Sequence, residues 1–522
     1  MWKKMIAGLL ACVCLSSIFT ACSGKTSEST PSKTTLTIGV TSFADTLEPT
    51  EQYFGWVVMR YGIGQALTRF DENGVLQPWL AQSWSLSEDK CTWTFEIRPD
   101  VRFSNGNELT AQAVKSSLER TFEKNARARA SYFQYTEMTA QGNTLTITTE
   151  SPTATVPGSL ADPLFLIVDT TADTQSFAMQ GPVCTGPYQV ESFQPTEVCI
   201  VSRNPYYWNG DVPYDTVTLR CIDDQATRAM ALETGEIEIA YNLKIENVME
   251  FQENPDFEVQ SLASLRSCHA FMNQHGVLAD KLLRQAILCG LDRQTYCNVL
   301  LQGGAVPGKA PVPPSLDYGF DQLTDPNPYD PTRARQLLEQ GGYRDKNGDG
   351  YVERPDGTPL NLQFVVYDSR AELGIYAQAA QTSLKEIGIQ LTIETVSYET
   401  LLDMQEAGQY DLLIWNVLAA NTGDPEAYLR ESWMTYSEQN PNNNYAGYSN
   451  TKVDTMLKTL SSTFDQTARR DLMIQIQQEI LNDAATIFFG YETTYLISST
   501  KVAGLKLYPM DYYWLTEDVR PA

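Results

Sequence analysis

DTVTLRCIDDQATRAMALETGEIEIA, residues 215–240, reads as strand, helix, strand. Asp224 offers a carboxylate to the open amides of a helix over QATRAMALET, Gly235 supplies its stop, and EIEIA resumes two-residue alternation. The same grammar recurs on either side. TWTFEIR, 92–98, sets Trp93, Phe95 and Ile97 on one face against Thr94 and Glu96, the pattern of a half-buried strand. Downstream, Asp330 caps, Pro331 takes the first helical position and TRARQLLEQ runs to Gly341 and Gly342. YAQAAQTSLKEI ends at Gly388 and feeds IQLTIETV, in which Ile389, Leu391 and Ile393 share a face. DLLIW, 411–415, is nearly continuously apolar, as strands covered on both faces are. Alternating units of this kind predict α/β lobes with parallel-rich sheets.

With 522 residues the chain exceeds what one core holds, since single cores stop growing at roughly 250 to 300 residues, so two or more lobes are expected. Apolar residues make up 42% and aromatics 11%, which leaves disorder a minor role. The N-terminus is a targeting segment: MWKK is basic, MIAGLLACVCLSSIF is apolar but too short for a membrane span, and FTAC ends on small residues and Cys22. It resembles a bacterial lipoprotein signal, which makes Cys22 the expected lipid-bearing residue; the alternative is an ordinary signal peptide with an incidental cysteine. SGKTSESTPSKTT, after Cys22, has the composition of a flexible tether.

The formal charge is −26, and the first 22 residues contribute two lysines and no acids. Such an acidic chain repels phosphate backbones and anionic headgroups, so nucleic acid is excluded as a partner and any membrane attachment falls to the lipid. Solubility accounts for most of the imbalance. Seven cysteines lie beyond the signal: Cys91, Cys184, Cys199, Cys221, Cys268, Cys289 and Cys297. An odd number with no close pair gives neither a disulfide framework nor a zinc knuckle, and buried thiols are the default.

Catalytic signatures are missing. The chain has no GxSxG, no HExxH and two histidines, His269 and His275; GGAVPG lacks the lysine and hydroxyl residue of a phosphate loop. An enzyme is therefore not expected. One segment has metal-ligand spacing: in DKNGDGYVERPD, Asp345, Asn347 and Asp349 occupy positions 1, 3 and 5 of a calcium loop, with Gly350 at 6 and Asp356 at 12. Position 12 is Asp rather than Glu and Pro355 opposes an exit helix, so the competing reading is a glycine-rich turn leading into GTPLNLQF. A structural calcium at this loop is the one cofactor the sequence allows for; no other is expected.

From residue 61 the text runs YGIGQALTRFDENGVLQPWLAQSWSLSEDKCTWTFEIRPDVRFSNGNELTAQAVKSSLERTF, followed in order by CTGPYQVESF, SRNPYYWNG, DQATRAMALETGEIEI, LLRQAILCGLDRQ, YDPTRARQLLEQGGY and GYSNTKVDTML. Over roughly residues 35–510 this resembles the family 5 extracellular solute-binding proteins, the dipeptide, oligopeptide and nickel-complex receptors of ATP-binding-cassette (ABC) importers. The resemblance implies an α/β, two-lobed type II periplasmic-binding-protein clamshell with an extra subdomain in lobe one, closing by a hinge on a ligand between the lobes. Residues 1–22 would be the lipoprotein signal and 23–34 the tether. Lobe one would be 35–267 plus 488–522, with the extra subdomain at about 61–184, and lobe two 268–487. The chain would cross near CHAFMNQ and return near TIFFGYETTYLIS. The implied partners are a peptide or peptide-like ligand, the importer's permease subunits and a lipid anchor; a monomer is expected, at the extracytoplasmic face of the bacterial cytoplasmic membrane. The alternative ligand is a nickel or other metal-chelate complex.

The resemblance also nominates residues. LLIWNVLAANTGDP lines the family's cleft, where many peptide-binding members have a motif similar to A-D-x-x-D-P whose first aspartate meets the peptide's ammonium. That aspartate falls on Asn421, with Asp424 and Pro425 matching the second half. Asparagine keeps an acceptor and loses the charge, so an amino terminus would be held more weakly. RARASYF lays Arg129 and Tyr132 on an arginine and an aromatic of the nickel-complex branch, although SLADPLF and the place of Trp415 do not follow that branch. The competing reading of Arg129 is a solvated helix residue. In LEPTEQYFGW, Tyr53 and Trp56 are candidate cleft walls, large in area and poor in rotors; core packing is the competing reading. Trp415 and Asn421 rank first.

Overall fold

The computed structural model describes residues 34–41, 44–368, 370–420, 422–437 and 442–522. Local signals behave as the sequence predicts. Asp224 accepts the Thr227 amide at 2.8 Å at the head of the helix Gln225–Glu233. Asp330 accepts Arg333 N at 2.9 Å ahead of the helix Pro331–Gln340. Trp93, Phe95 and Ile97 are buried on the strand Thr92–Ile97.

The central sheet has eleven strands. In chain order they are β1 Thr35–Val40, β2 Tyr188–Gln194, β3 Val198–Arg203, β4 Thr216–Cys221, β5 Ile239–Tyr241, β6 Phe257–Met272, β7 Ala305–Pro307, β8 Asn361–Tyr367, β9 Gln390–Val396, β10 Leu412–Leu418 and β11 Thr486–Ser499. Across the sheet they run β9, β8, β10, β6, β11, β5, β1, β4, β3, β2, with β7 on the flank of β11. The unit at 215–240 supplies β4 and β5, which lie parallel to β1 on its two sides.

The expected parallel-rich sheets are corrected to a mixed one. Among the described residues β1 with β4, β1 with β5, β8 with β9 and β8 with β10 are parallel, and the other six pairings are antiparallel. Apolar runs report burial on two faces, not direction, and the long strands β6 and β11 impose antiparallel pairing through the middle. CHAFMNQ begins on β6 and TIFFGYETTYLIS lies on β11, so both expected crossings fall in this central pair.

One core gathers around β1, β4 and the C-terminal segment, a second around β8, β10 and the helix Ala371–Glu386. A third encloses residues of 67–167 under an antiparallel sheet of Ala81–Leu86, Thr92–Ile97, Thr144–Thr149 and Tyr135–Gln141. Cys184, Cys199, Cys268, Cys289 and Cys297 are buried as thiols; Cys91 and Cys221 are half-buried.

Candidate functional site

A cavity of about 550 Å³ opens between the two halves of the sheet. Trp56, Asp511 and Tyr512 line it from one side, Arg370, Glu372 and Tyr376 from the other, and Arg266 and Glu492 rise into it from β6 and β11.

The first wall is built on the short helix Gly55–Arg60. Gly55 is required there, because a Cβ would come within 2.5 Å of the Pro163 carbonyl oxygen. Close approach of that turn presents Trp56 with Tyr512 at 5.4 Å and Tyr53 edge-on at 6.0 Å. Arg60 covers Trp56 and Trp514 and is tied to the Asp511 carboxylate at 2.6 Å and its carbonyl at 2.8 Å. Behind them Asp162 is fully buried; it accepts Tyr132 Oη at 2.6 Å, Tyr512 Oη at 3.2 Å and the Leu164 amide at 2.8 Å. Burial drives the Asp162 carboxyl above its usual range, and these donors oppose the shift.

Trp415 is half-buried on β10 and edge-on to Tyr398 at 5.8 Å. Burial raises the Tyr398 phenol, and the Tyr53 phenol adds to the shift. The indole nitrogens of Trp56 and Trp415 are buried with no acceptor among the described residues.

Of the residues nominated from sequence, Trp56 lines the cavity, Tyr53 packs on it, and Tyr132 reaches it through Asp162 and Tyr512. Trp415 packs on Tyr398 and lies outside the cavity lining. Arg129 is exposed on the wide helical turn Ala128–Tyr132, and it is Arg127 whose guanidinium lies 4.0 Å over the Tyr53 ring. Asn421 and Cys22 lie outside the described residues. Next to Asn421 the loop is clamped from two sides. Gly423 packs on Phe70 and accepts Tyr318 Oη at 2.9 Å, and Asp424 pairs with buried Arg469 at 2.7 Å.

At 345–356 the side chains fold onto their own loop. Asp345 accepts the Gly348 and Gly350 amides, Asn347 accepts Asp349 N, Asp349 accepts Tyr351 N, and Asp356 accepts Thr358 N. No group of three His, Cys, Asp or Glu able to hold a metal ion occurs among the described residues. His269 is buried among Phe271, Tyr428, Trp433 and Phe488, burial pushes it down to about 3, and it does not line the cavity.

Sequence reading missed the charged group of Arg266, Arg370, Glu372, Asn416 and Glu492. No spacing signals it, because its members come from β6, the head of the helix Ala371–Glu386, β10 and β11.

The family model described as bacterial extracellular solute-binding proteins, family 5, middle matches residues 75–440. The chain belongs to this family. Among relatives, the nickel-binding protein NikA of Staphylococcus aureus is 25% identical over 458 residues, covering 88% of this chain and 89% of its own. The glutathione-binding protein GsiB of Pectobacterium atrosepticum is 29% identical over 456 residues, 85% of this chain and 86% of its own. A crystal structure of a nickel ABC transporter protein from Bacillus halodurans matches with a TM-score of 0.83 and 28% identity, over 93% of this chain and 100% of that one. The family 5 fold is the two-lobed type II clamshell.

Proposed function

We propose that this chain is the extracytoplasmic substrate-binding protein of an ABC importer, capturing peptides or peptide-like small solutes between its lobes for delivery to the permease. The observation that carries this reading is the interlobe cavity of about 550 Å³ with aromatic and charged walls. Its size suits a small organic ligand, for which sites of roughly 300–1,000 Å³ are usual. Family membership and relatives described as binding glutathione and nickel support the same class. Binding without turnover is supported by the buried, neutral His269 and the absence of catalytic motifs.

A metal-chelate complex is the second reading. It is favoured by nickel-binding relatives, and the chelate rather than the bare ion is favoured by the lack of a metal-holding group among the described residues. In either reading Tyr53, Trp56, Tyr132 and Trp415 form the aromatic contacts. Asn421 receives the ligand's donor groups, and Arg129 is the outermost candidate. The lobes are taken as 35–267 with 488–522, and 268–487. The chain is lipid-anchored through Cys22 and monomeric; among the described residues no helix is long and apolar enough to cross a membrane. Labelling cells with an alkyne fatty acid tests the anchor: wild type takes up label and Cys22→Ala does not, whereas equal labelling refutes it. Calorimetric titration with Ala-Ala, tri-alanine, glutathione and a nickel(II)–histidine complex tests the function. At least one is expected to bind with micromolar or tighter affinity and unit stoichiometry, and heat signals absent for all would overturn the proposal.

A further inference from the structure

Arg228 sits on the helix Gln225–Glu233 and is fully buried. Its guanidinium reaches the carboxyl ends of two strands at once. Nη1 donates to the Ile222 carbonyl and, at 3.4 Å, to that of Asp223, just past β4; Nη2 donates to the Asn242 carbonyl at 3.1 Å, just past β5. These strands flank β1 on opposite sides, so the side chain joins them across β1. It crosses at Gly39, where a Cβ would come within 3.2 Å of the Arg228 Cγ and 3.3 Å of its Cδ.

A residue that only filled this core would be aliphatic, as Ala229, Leu232, Ile237 and Val248 are. Burial holds the guanidinium below its ordinary value, with the Asp223 and Asp224 carboxylates opposing, and its Nε has no acceptor among the described residues. Enclosing a charge costs free energy, and an apolar side chain of similar volume often stabilises a core as well or better. What the guanidinium adds is geometry: a rigid fork of donors that holds two chain ends at a fixed separation.

The second of those ends leads into the cavity. Asn242, Leu243, Lys244, Ile245 and Glu246 are five consecutive residues of its lining. Asn242 takes φ +54°, left-handed backbone that asparagine tolerates better than most side chains but that persists only with support from its surroundings. That support comes from Arg228 on the Asn242 carbonyl and from the Tyr495 carbonyl of β11, which accepts the Asn242 amide at 3.0 Å. Two residues on, the Lys244 amide donates to Gln225 Oε1 at the first position of the same helix. One helix therefore grips the turn twice, and Arg228 itself is not part of the lining.

We propose that Arg228 is a positioning residue for the solute site: without touching solute, it fixes the Asn242–Glu246 turn in the conformation that lines the cavity. This rests on the solute-receptor reading above and extends it to a residue outside the cavity.

The test compares three variants with wild type by hydrogen–deuterium exchange and, well below melting, by calorimetric titration with Ala-Ala, tri-alanine, glutathione and a nickel(II)–histidine complex. Arg228→Met keeps a stem and removes the fork. It should speed exchange of the 242–248 amides, leave the helix Ala371–Glu386 as in wild type, and weaken the probe that wild type binds by about tenfold or more, the effect of one lost hydrogen bond to a charged group. Leu232→Ala, in the same core, is the control for stability alone: its thermal midpoint should fall while affinity stays. Arg228→Lys, a charge without the fork, should lie between wild type and Arg228→Met, and it carries the test if the methionine variant does not fold. Unchanged exchange at 242–248, unchanged affinity, or an equal affinity loss in Leu232→Ala would overturn the positioning role and leave the receptor reading in place. Binding of no probe by wild type would overturn the receptor reading, and exchange would still decide whether Arg228 holds the turn.

Discussion

Glu372→Gln should make this protein more stable above neutral pH and leave it unchanged near pH 5. The Glu372 carboxyl is pushed up from 4.5 to about 7, first by burial and then by the neighbouring Glu492 carboxyl, with Arg370 opposing. The groups facing it are Glu492, Arg370, Arg266 and Asn416. In the native state the carboxyl binds a proton that the unfolded chain has already released, so stability falls as pH rises from about 4.5 to about 7. The full shift corresponds to about 3 kcal/mol at 1.36 kcal/mol per tenfold, and solvent in the cavity reduces it to about 1–3 kcal/mol. For a folded unit of this size 1 kcal/mol moves the melting temperature by about 1 °C, so the effect is about 1–3 °C. Glutamine reproduces the neutral form at every pH. Scanning calorimetry of both proteins from pH 5 to 8 should therefore show melting temperatures that coincide at pH 5 and diverge by that amount, with the variant higher, at pH 8. Other titrations cancel in the comparison. A difference that is flat with pH, or that favours wild type at pH 8, would refute the reasoning.

Two further substitutions probe the clamp around the cleft. Arg469 is 1% exposed on its side chain, pairs with Asp424 and Glu426 at 2.7 and 2.8 Å, and donates to the Leu460 and Thr463 carbonyls. Arg469→Met strands the half-buried Asp424 carboxylate, while Glu426 keeps Arg430 at 2.9 Å, and should lower stability by about 3 kcal/mol, read as a drop in the urea midpoint. Gly158→Ala puts a Cβ onto the Thr422 carbonyl oxygen, in the loop ahead of the helix Glu426–Trp433. Overpacking of about 1–3 kcal/mol there should weaken solute affinity by roughly tenfold or more with little change in the melting temperature of the ligand-free chain. Unchanged affinity would place closure elsewhere.

What the sequence made legible was local. Asp224 and Asp330 act as caps within three residues of the amides they serve, and the alternation of TWTFEIR is the burial pattern itself. Strand direction was not legible, because β5 finds its antiparallel partner at Leu496–Ser498, far along the chain. Tyr53, Trp56 and Tyr132, nominated from the family resemblance, are brought together through Asp162 and Tyr512. Arg127, at the head of the turn Ala128–Tyr132, lies on Tyr53, and Arg129 is exposed. The charged group was invisible for a different reason. Arg266 and Glu492 look like ordinary strand residues until the bulge between Ala263 and Ser267 turns one of them into the cavity.

The central claim is that the cavity carries a small solute. The most direct measurement is native mass spectrometry of the chain purified from its own cells without refolding, with the mass loss on denaturation assigned to the released molecule. The account predicts one small solute per chain, a short peptide or peptide-like molecule or a chelate with its metal. A chain that emerges empty from solute-rich cells would contradict it.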